Sequence, residues 1–265
     1  MTVNGTPADV FPPGTFTPAP GRGRVLRMLA THARTEIKLT LRNGEQILLT
    51  LLIPIALLVG LSLLTVFSVP EPRIDNVAPR IFALAVMSSA FTGQAIALGF
   101  DRRYGVLKRL AATALPRWLL VAGRVVAGLT VVLIQLVVLC VVAAVLGWSP
   151  AAAGIGWALL VVIIGTVCFG ALGVLLGGAL KAEVVLALAN IVWFVLLLAG
   201  GIIVPASSMT GAKGELVGLL PSGALTEGMR VALVEGAPPG WQPIIVLAVW
   251  GLAAGGLAAR TTRLS

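Results

Sequence analysis

Charge is scarce in this sequence, and the groups on which most catalysis depends are scarcer still. Asp, Glu, Lys and Arg make up 11% of the 265 residues, where a soluble domain carries about one quarter. Apolar residues make up 58%, so bilayer rather than water is the solvent for most of the chain. His32 is the sole histidine, and Cys140 and Cys168 are the sole cysteines. One histidine ahead of the first apolar run disfavours His-based triads, His-rich metal centres and membrane metalloproteases. Two cysteines deep in apolar runs have the spacing of neither a disulfide framework nor a metal site, and packing is their predicted role. Residues 1–23 carry Pro7, Pro12, Pro13, Pro18 and Pro20 and no apolar core, which predicts a disordered tail rather than a cleavable signal peptide.

No G-x-x-x-x-G-K-[ST] occurs, so the chain lacks the loop of amides and the lysine that hold nucleotide phosphates in a P-loop. Inside the apolar runs the strongly polar side chains are Gln94, Gln135 and Asn190, with Glu183 at a boundary. Ion-coupled transport needs a buried carboxylate, histidine or basic group, and the shortage of these argues for an external source of energy. The three amides are candidates for lining a polar path, and interhelical hydrogen bonding is their plainer reading.

What is abundant is long apolar sequence. Six stretches, 46–69, 80–100, 118–148, 155–180, 184–204 and 242–259, reach the roughly 20 residues with which a helix crosses about 30 Å of hydrocarbon. The third is long enough to tilt or project, with Arg124 near a surface to which it can snorkel. Alternating the loops between two sides puts 15 of the 19 Lys and Arg on one side and leaves Arg73, Arg80, Lys213 and Arg230 on the other. The positive-inside rule makes the richer side, with both termini, cytosolic, and five or seven spans would erase the asymmetry. The basic excess is therefore read as topology, and no nucleic-acid partner is expected. Gly165, Gly170, Gly173, Gly177 and Gly178 in the fourth stretch, and Gly251, Gly255 and Gly256 in the sixth, predict close helix packing.

Ahead of the first span, Arg24, Arg27, Arg34, Lys38 and Arg42 fall on one helical face, with Val25, Met28, Leu29, Ala33 and Leu39 mostly opposite. That pattern predicts a helix lying on the anionic inner leaflet. Glu36 interrupts the apolar face, and a basic partner would account for it. The predicted fold is an all-α polytopic membrane protein of the bacterial plasma membrane. It comprises a tail over 1–23, an amphipathic connecting helix over 24–45 and a single six-span domain over 46–265.

Between spans two and three runs Asp101-Arg102-Arg103-Tyr104-Gly105-Val106-Leu107-Lys108-Arg109-Leu110, closed by Pro116. Its middle predicts a short helix with Val106, Leu107 and Leu110 apolar and Lys108 and Arg109 charged, stopped by Pro116. A basic anchor explains the charge alone, whereas a soluble subunit docking on the apolar side also explains the helix and its punctuation. Before the last span, residues 222–230 predict a second short helix with Glu227 and Arg230 at i, i+3. Gly200, Gly201 and Pro205 supply the chain breaks ahead of it.

In order, spacing and sidedness these segments resemble the type-2 ABC exporter permeases, a group that includes daunorubicin-resistance-type and polysaccharide or teichoic-acid export permeases. Asp101, Arg102 and Arg103 match the family's acidic-basic cluster, Gly105 its glycine, 107–110 its Leu-rich basic turn and 112–116 its Ala-Thr-Pro-Leu-like ending. Tyr104 stands where an acidic residue often precedes the glycine. The stretch from Pro221 through Glu227 to Arg230 is similar to the family's segment before the last span.

The resemblance implies that Asp101, Arg102, Arg103, Gly105, Val106, Leu107, Lys108, Arg109, Leu110 and Pro116 form the coupling loop on which an ABC ATPase docks. It implies that Pro221, Glu227 and Arg230 lie in short extracellular helices between spans five and six. The chain itself would hold no cofactor, with ATP and Mg on the ATPase. It would work among membrane lipids beside a second permease subunit, identical or related, and export a drug, antibiotic, lipid or glycolipid by alternating access. The rivals are a secondary transporter, which calls for intramembrane charge or inverted repeats, a membrane enzyme, which calls for clustered Asp, His or Lys at one interface, and a non-transporting membrane subunit of an ATPase complex.

Overall fold

In hydrocarbon an unpaired N–H or C=O has no water to turn to, so apolar runs of this length fold as helices whose backbone bonds are internal. The computed structural model describes residues 24–42, 44–64, 71–111, 117–202 and 212–261, and among these the regular structure is entirely helical. In chain order it comprises α1 (Val25–Arg42), α2 (Gly44–Leu63), α3 (Arg73–Met87), a π-helical turn (Ser88–Gly93), α4 (Gln94–Arg103), α5 (Val106–Ala111), α6 (Arg117–Val145), α7 (Ile155–Ala179), α8 (Ala182–Ala199), α9 (Ala212–Leu219), α10 (Pro221–Arg230) and α11 (Trp241–Thr261). The predicted tail at 1–23 lies outside the described residues.

Among the described residues five stretches are long and apolar enough to cross a membrane: Arg73–Arg103, Val121–Val145, Ala152–Ala179, Ala182–Ala199 and Trp241–Arg260. They coincide with expected spans two to six. The expected first span falls on α2, which is helical over 20 residues and has a shorter apolar stretch, Thr50–Leu63. Its predicted end at 65–69 lies outside the described residues.

The second span departs most from expectation. Ile74, Val77, Ala78 and Ile81, spaced on one helical face, are all buried, and that stripe carries the helix outward to Arg73 rather than ending it at residue 80. Arg80, expected at the outer end of the span, therefore sits inside α3 and is 5% exposed. Together α3, the π turn and α4 make the central rod: 61% of its most apolar stretch is buried, against 22% for α8 and for α11.

Lipid is as apolar as leucine, so close fit rather than hydrophobicity holds such helices together. A Cβ on Gly173 would come within 2.7 Å of the Phe91 carbonyl oxygen, and one on Gly177 within 2.5 Å of that of Ala95. These two glycines, one turn apart, let the backbone of α7 lie directly on the central rod. Gly165 packs against Leu225 of α10 and Gly251 against Cys168, whereas Gly170, Gly255 and Gly256 face open space, so part of the glycine pattern is a seam and part is not. Cys168 is buried and Cys140 half-buried, both as free thiols.

Helix α1 packs on α6, burying His32 and Ala33. Met28, Leu29 and Glu36 on the same side are half-covered, while Val25 and Leu39 are exposed. The expected surface helix is thus partly a docked one. The odd position of Glu36 follows: it faces inward beside His32, with Oε1 3.9 Å from Nε2.

Candidate functional site

The charged triplet at the end of α4 does not project as a unit; each member reaches a different helix. Asp101 accepts a hydrogen bond from Arg124 of α6. Arg102 donates to the last carbonyls of α7, those of Gly177 (3.2 Å), Gly178 and Leu180 (3.3 Å). Arg103 pairs with Glu183 in the first turn of α8. A cation at a helix C-terminus and a carboxylate in a helix first turn both complement the helix dipole, so Arg102 and Glu183 suit the ends of α7 and α8 that they occupy. Arg124 was expected to snorkel; at 9% exposed it is instead met inside the protein by Asp101. The sequence reading of little charge inside the spans is corrected at Arg80, which lies within the apolar stretch Arg73–Arg103, while Arg124 is near the start of Val121–Val145.

After α4 the chain turns at Gly105, whose φ of 68° lies in the left-handed region that other residues avoid. The turn folds α5 back so that Leu107 is 6% exposed within the subunit. Leu107 was expected on the docking surface, but a six-residue helix this close to α4 and the α7–α8 turn buries its apolar side chain against its own chain. Lys108 and Arg109 are exposed, as is Tyr104, which stacks on Phe100 with centroids 6.1 Å apart and lies 6.0 Å from the Arg103 guanidinium carbon. Val106 is half-buried. The side chain of Leu110, and Pro116 altogether, lie outside the described residues.

A second polar group forms around the π turn. A π turn adds a residue to the helical repeat and recurs at functional positions. Ser89 donates to Gln135 Oε1 (2.5 Å), and Gln135 Nε2 donates to the Thr50 carbonyl (2.7 Å), linking α3–α4, α6 and α2. Trp193 of α8 donates to Ser88 Oγ (2.8 Å). Gln94 lies over Gly128 and, with Thr50 and Ser89, lines a cavity of about 70 Å³. Two of the three predicted amides are therefore brought together. Asn190 is not: it is exposed on α8 and donates to the Leu186 carbonyl one turn back.

At the opposite end, Pro221 begins α10, and residues Pro221 to Thr226 are buried against α3, α7 and α11. Arg230 forks onto Glu227, Nε to Oε2 at 2.9 Å and Nη2 to Oε1 at 2.6 Å, and its Nη1 reaches Glu235 at 2.7 Å. Hydrogen bonding to Glu227 holds the guanidinium charged well above its ordinary pKa; burial opposes this and Glu235 adds to it. Arg80 is close enough for its charge to interact with that of Arg230, and among the described residues no carboxylate pairs with it. Sequence reasoning found Glu227 with Arg230 and missed Glu235 and Arg80. The i, i+5 spacing of Arg230 and Glu235 becomes close only because Val231–Glu235 is a π turn.

Two comparisons bear on these groups. Residues 29–234 match the family described as ABC-2 type transporter. The chain is also similar to a protein of Bacillus subtilis (strain 168) named "Putative transport permease YvfS". The two are 24% identical over 226 residues, covering 84% of this chain and 91% of that one.

Proposed function

Since this chain belongs to the ABC-2 type transporter family and is a transmembrane subunit of an ABC transporter, working with an ATPase, we propose that it exports a hydrophobic or amphipathic compound by alternating access in a dimer of permease subunits. In this reading α2 is the first of six spans, and the end that holds Asp101, Arg102, Arg103 and α5 is cytosolic. ATP and Mg act on the separate ATPase chain, and this chain supplies the path.

One observation carries the mechanism. Arg102, Arg103 and Asp101 tether the base of α5 to α7, α8 and α6 respectively, so a push on α5 is delivered to three spans at once. Charge-assisted bonds are short and directional, which suits them to carry displacement. The surface offered to the ATPase is the exposed side of this turn, Tyr104 with Arg109, because Leu107 is occupied within the subunit. The polar group at the π turn supports a path for the polar part of an amphipathic cargo, with Gln94 and Gln135 as its contacts. Drug, antibiotic, lipid and glycolipid all fit that description.

The test is ATP-driven efflux in proteoliposomes of the permease coexpressed with its ATPase. Transport of an amphipathic dye should require ATP and the ATPase, and should fall with Tyr104→Asp or Arg109→Glu while the permease still inserts. ATP-independent transport by the permease alone would point to a secondary carrier, and ATPase assembly without any transport to a non-transporting subunit. Sidedness is tested separately with Cys140 and Cys168 removed: a cysteine at Ser149 should react with an impermeant thiol reagent from outside, and one at Arg109 should not.

A further inference from the structure

Between α4, α5 and the α7–α8 turn lies a cleft of about 460 Å³ whose lining includes Arg102, Arg103, Lys108 and Lys181, with Glu183 as its one acid. Its charges are unequally used. Arg102 is spent on the α7 carbonyls and Arg103 on Glu183, whereas among the described residues no ion pair or hydrogen bond engages the ammonium of Lys108 or of Lys181. Lys181 is also the N-cap residue of α8 and makes no side-chain cap bond, so the first amides of an 18-residue helix begin at the cleft wall with the positive end of its dipole. Two unengaged ammonium groups, two guanidinium groups and a helix N-terminus around one acid make a field that selects an anion. From the same wall α8 runs away with Val184, Ile191, Val195 and Leu198 exposed on one helical face, a continuous apolar track, while Gly99, Leu107 and Leu180 give the cleft an apolar floor.

We propose that this cleft binds the phosphate of an anionic phospholipid headgroup from the inner leaflet, held by Lys108 and Lys181, with the acyl chains along α8. Basic pockets between spanning helices at the cytosolic surface recognise such headgroups by this chemistry. An acidic side chain of the ATPase would match the ammonium groups but not the apolar track. A phosphate in the cleft bridges α5 to the start of α8, in parallel with the Arg103–Glu183 pair, and so stiffens the joint between the docking turn and the spans. The assignment rests on the basic end being cytosolic; the thiol labelling above tests that by itself, and lipid retention is read without reference to sidedness or transport.

The experiment is native mass spectrometry of the permease–ATPase complex taken from nanodiscs of equal phosphatidylglycerol and phosphatidylcholine. The wild-type complex should retain phosphatidylglycerol preferentially. Lys108→Gln with Lys181→Gln should weaken that preference about thirtyfold, about 2 kcal/mol at about 1.4 kcal/mol per tenfold, and the paired Lys→Arg variant should keep it. If the double Gln variant does not assemble, Lys181→Gln alone should lose roughly half of that free energy. Unchanged preference in the Gln variants overturns the proposal. So does loss of the ATPase with lipid retention intact, which would give the lysines to an acidic partner. Displacement of the lipid by millimolar inorganic phosphate added alone would make free phosphate the ligand and overturn the lipid source.

Discussion

At the basic end Asp101, Arg102 and Arg103 spend their charges on three helices distant in sequence, whereas at the other end Arg230 keeps both of its carboxylates, Glu227 and Glu235, within five residues of itself. Both groups are ionic and partly covered, yet they do different mechanical work. Pairs within one segment stiffen that segment. Pairs between segments make one helix follow another, and among the described residues the ion pairs that join different helices lie at the basic end. The opposite end is held by burial of α10, by Arg73 donating to the Leu61 and Leu64 carbonyls at the end of α2, and by backbone contacts such as Ala151 N–H to the Leu233 carbonyl at 2.9 Å.

The largest effect should come from Asp101→Asn, which leaves the buried Arg124 uncompensated. Removing one partner of a buried pair costs about 3–5 kcal/mol, and since Asp101 is 28% exposed the lower figure applies. A fall in thermal stability of the purified complex measures it, and Asp101→Leu with Arg124→Leu should recover most of the stability without recovering transport. Recovery of transport as well would show that the pair does not transmit motion.

Gly177→Leu should come next, since its Cβ would meet the Ala95 carbonyl oxygen and overpacking costs about 1–3 kcal/mol. Gly255→Leu, into open space, is the control and should melt like wild type. Arg102→Gln strips the α7 carbonyls of a charged donor, for about 1.5–3 kcal/mol, and transport should fall more steeply than stability does. Equal falls would reduce the residue to a helix cap.

The smallest effect belongs to Glu227→Gln. Arg230 retains Glu235 and the pair is largely solvated, with Glu227 40% exposed, so about 0.5–1 kcal/mol is expected. Nor should Arg230 titrate in the neutral range. A folded-state pKa raised above its unfolded value gives stability that is present below the unfolded value and lost only above the folded one. For Arg230 the ordinary value already lies far above neutrality and the shift is upward, so its contribution should be flat throughout the neutral range in a pH series of melting curves.

Spans three to six could be read from apolar length to within a few residues, as could the short helices α5 and α10. The start of span two could not, because Arg80 reads as the end of the span until the buried face of α3 is seen. Asn190 and Gln135 are alike in sequence, each an amide in an apolar run, yet one faces outward on α8 and the other joins Ser89 to Thr50. Leu107 looked like a docking residue because amphipathicity shows that a face is apolar and not what covers it. Glu36, an interruption in a one-dimensional pattern, made sense only when α1 was seen lying against α6.

What the sequence determined by itself is the set of helices and the sign of the charge at each end, since hydrocarbon forces long apolar runs to close their own hydrogen bonds and basic residues mark the ends of those runs. Tertiary structure alone decided the partners. Asp101 and Arg124 stand 23 residues apart, and Arg102 and Gly178 76 apart; nothing in periodicity relates them. Arg102 reaches Gly178 because Gly173 and Gly177 let α7 settle onto the central rod, and contact across crossing helices depends on how closely their backbones approach, which is a property of both surfaces together.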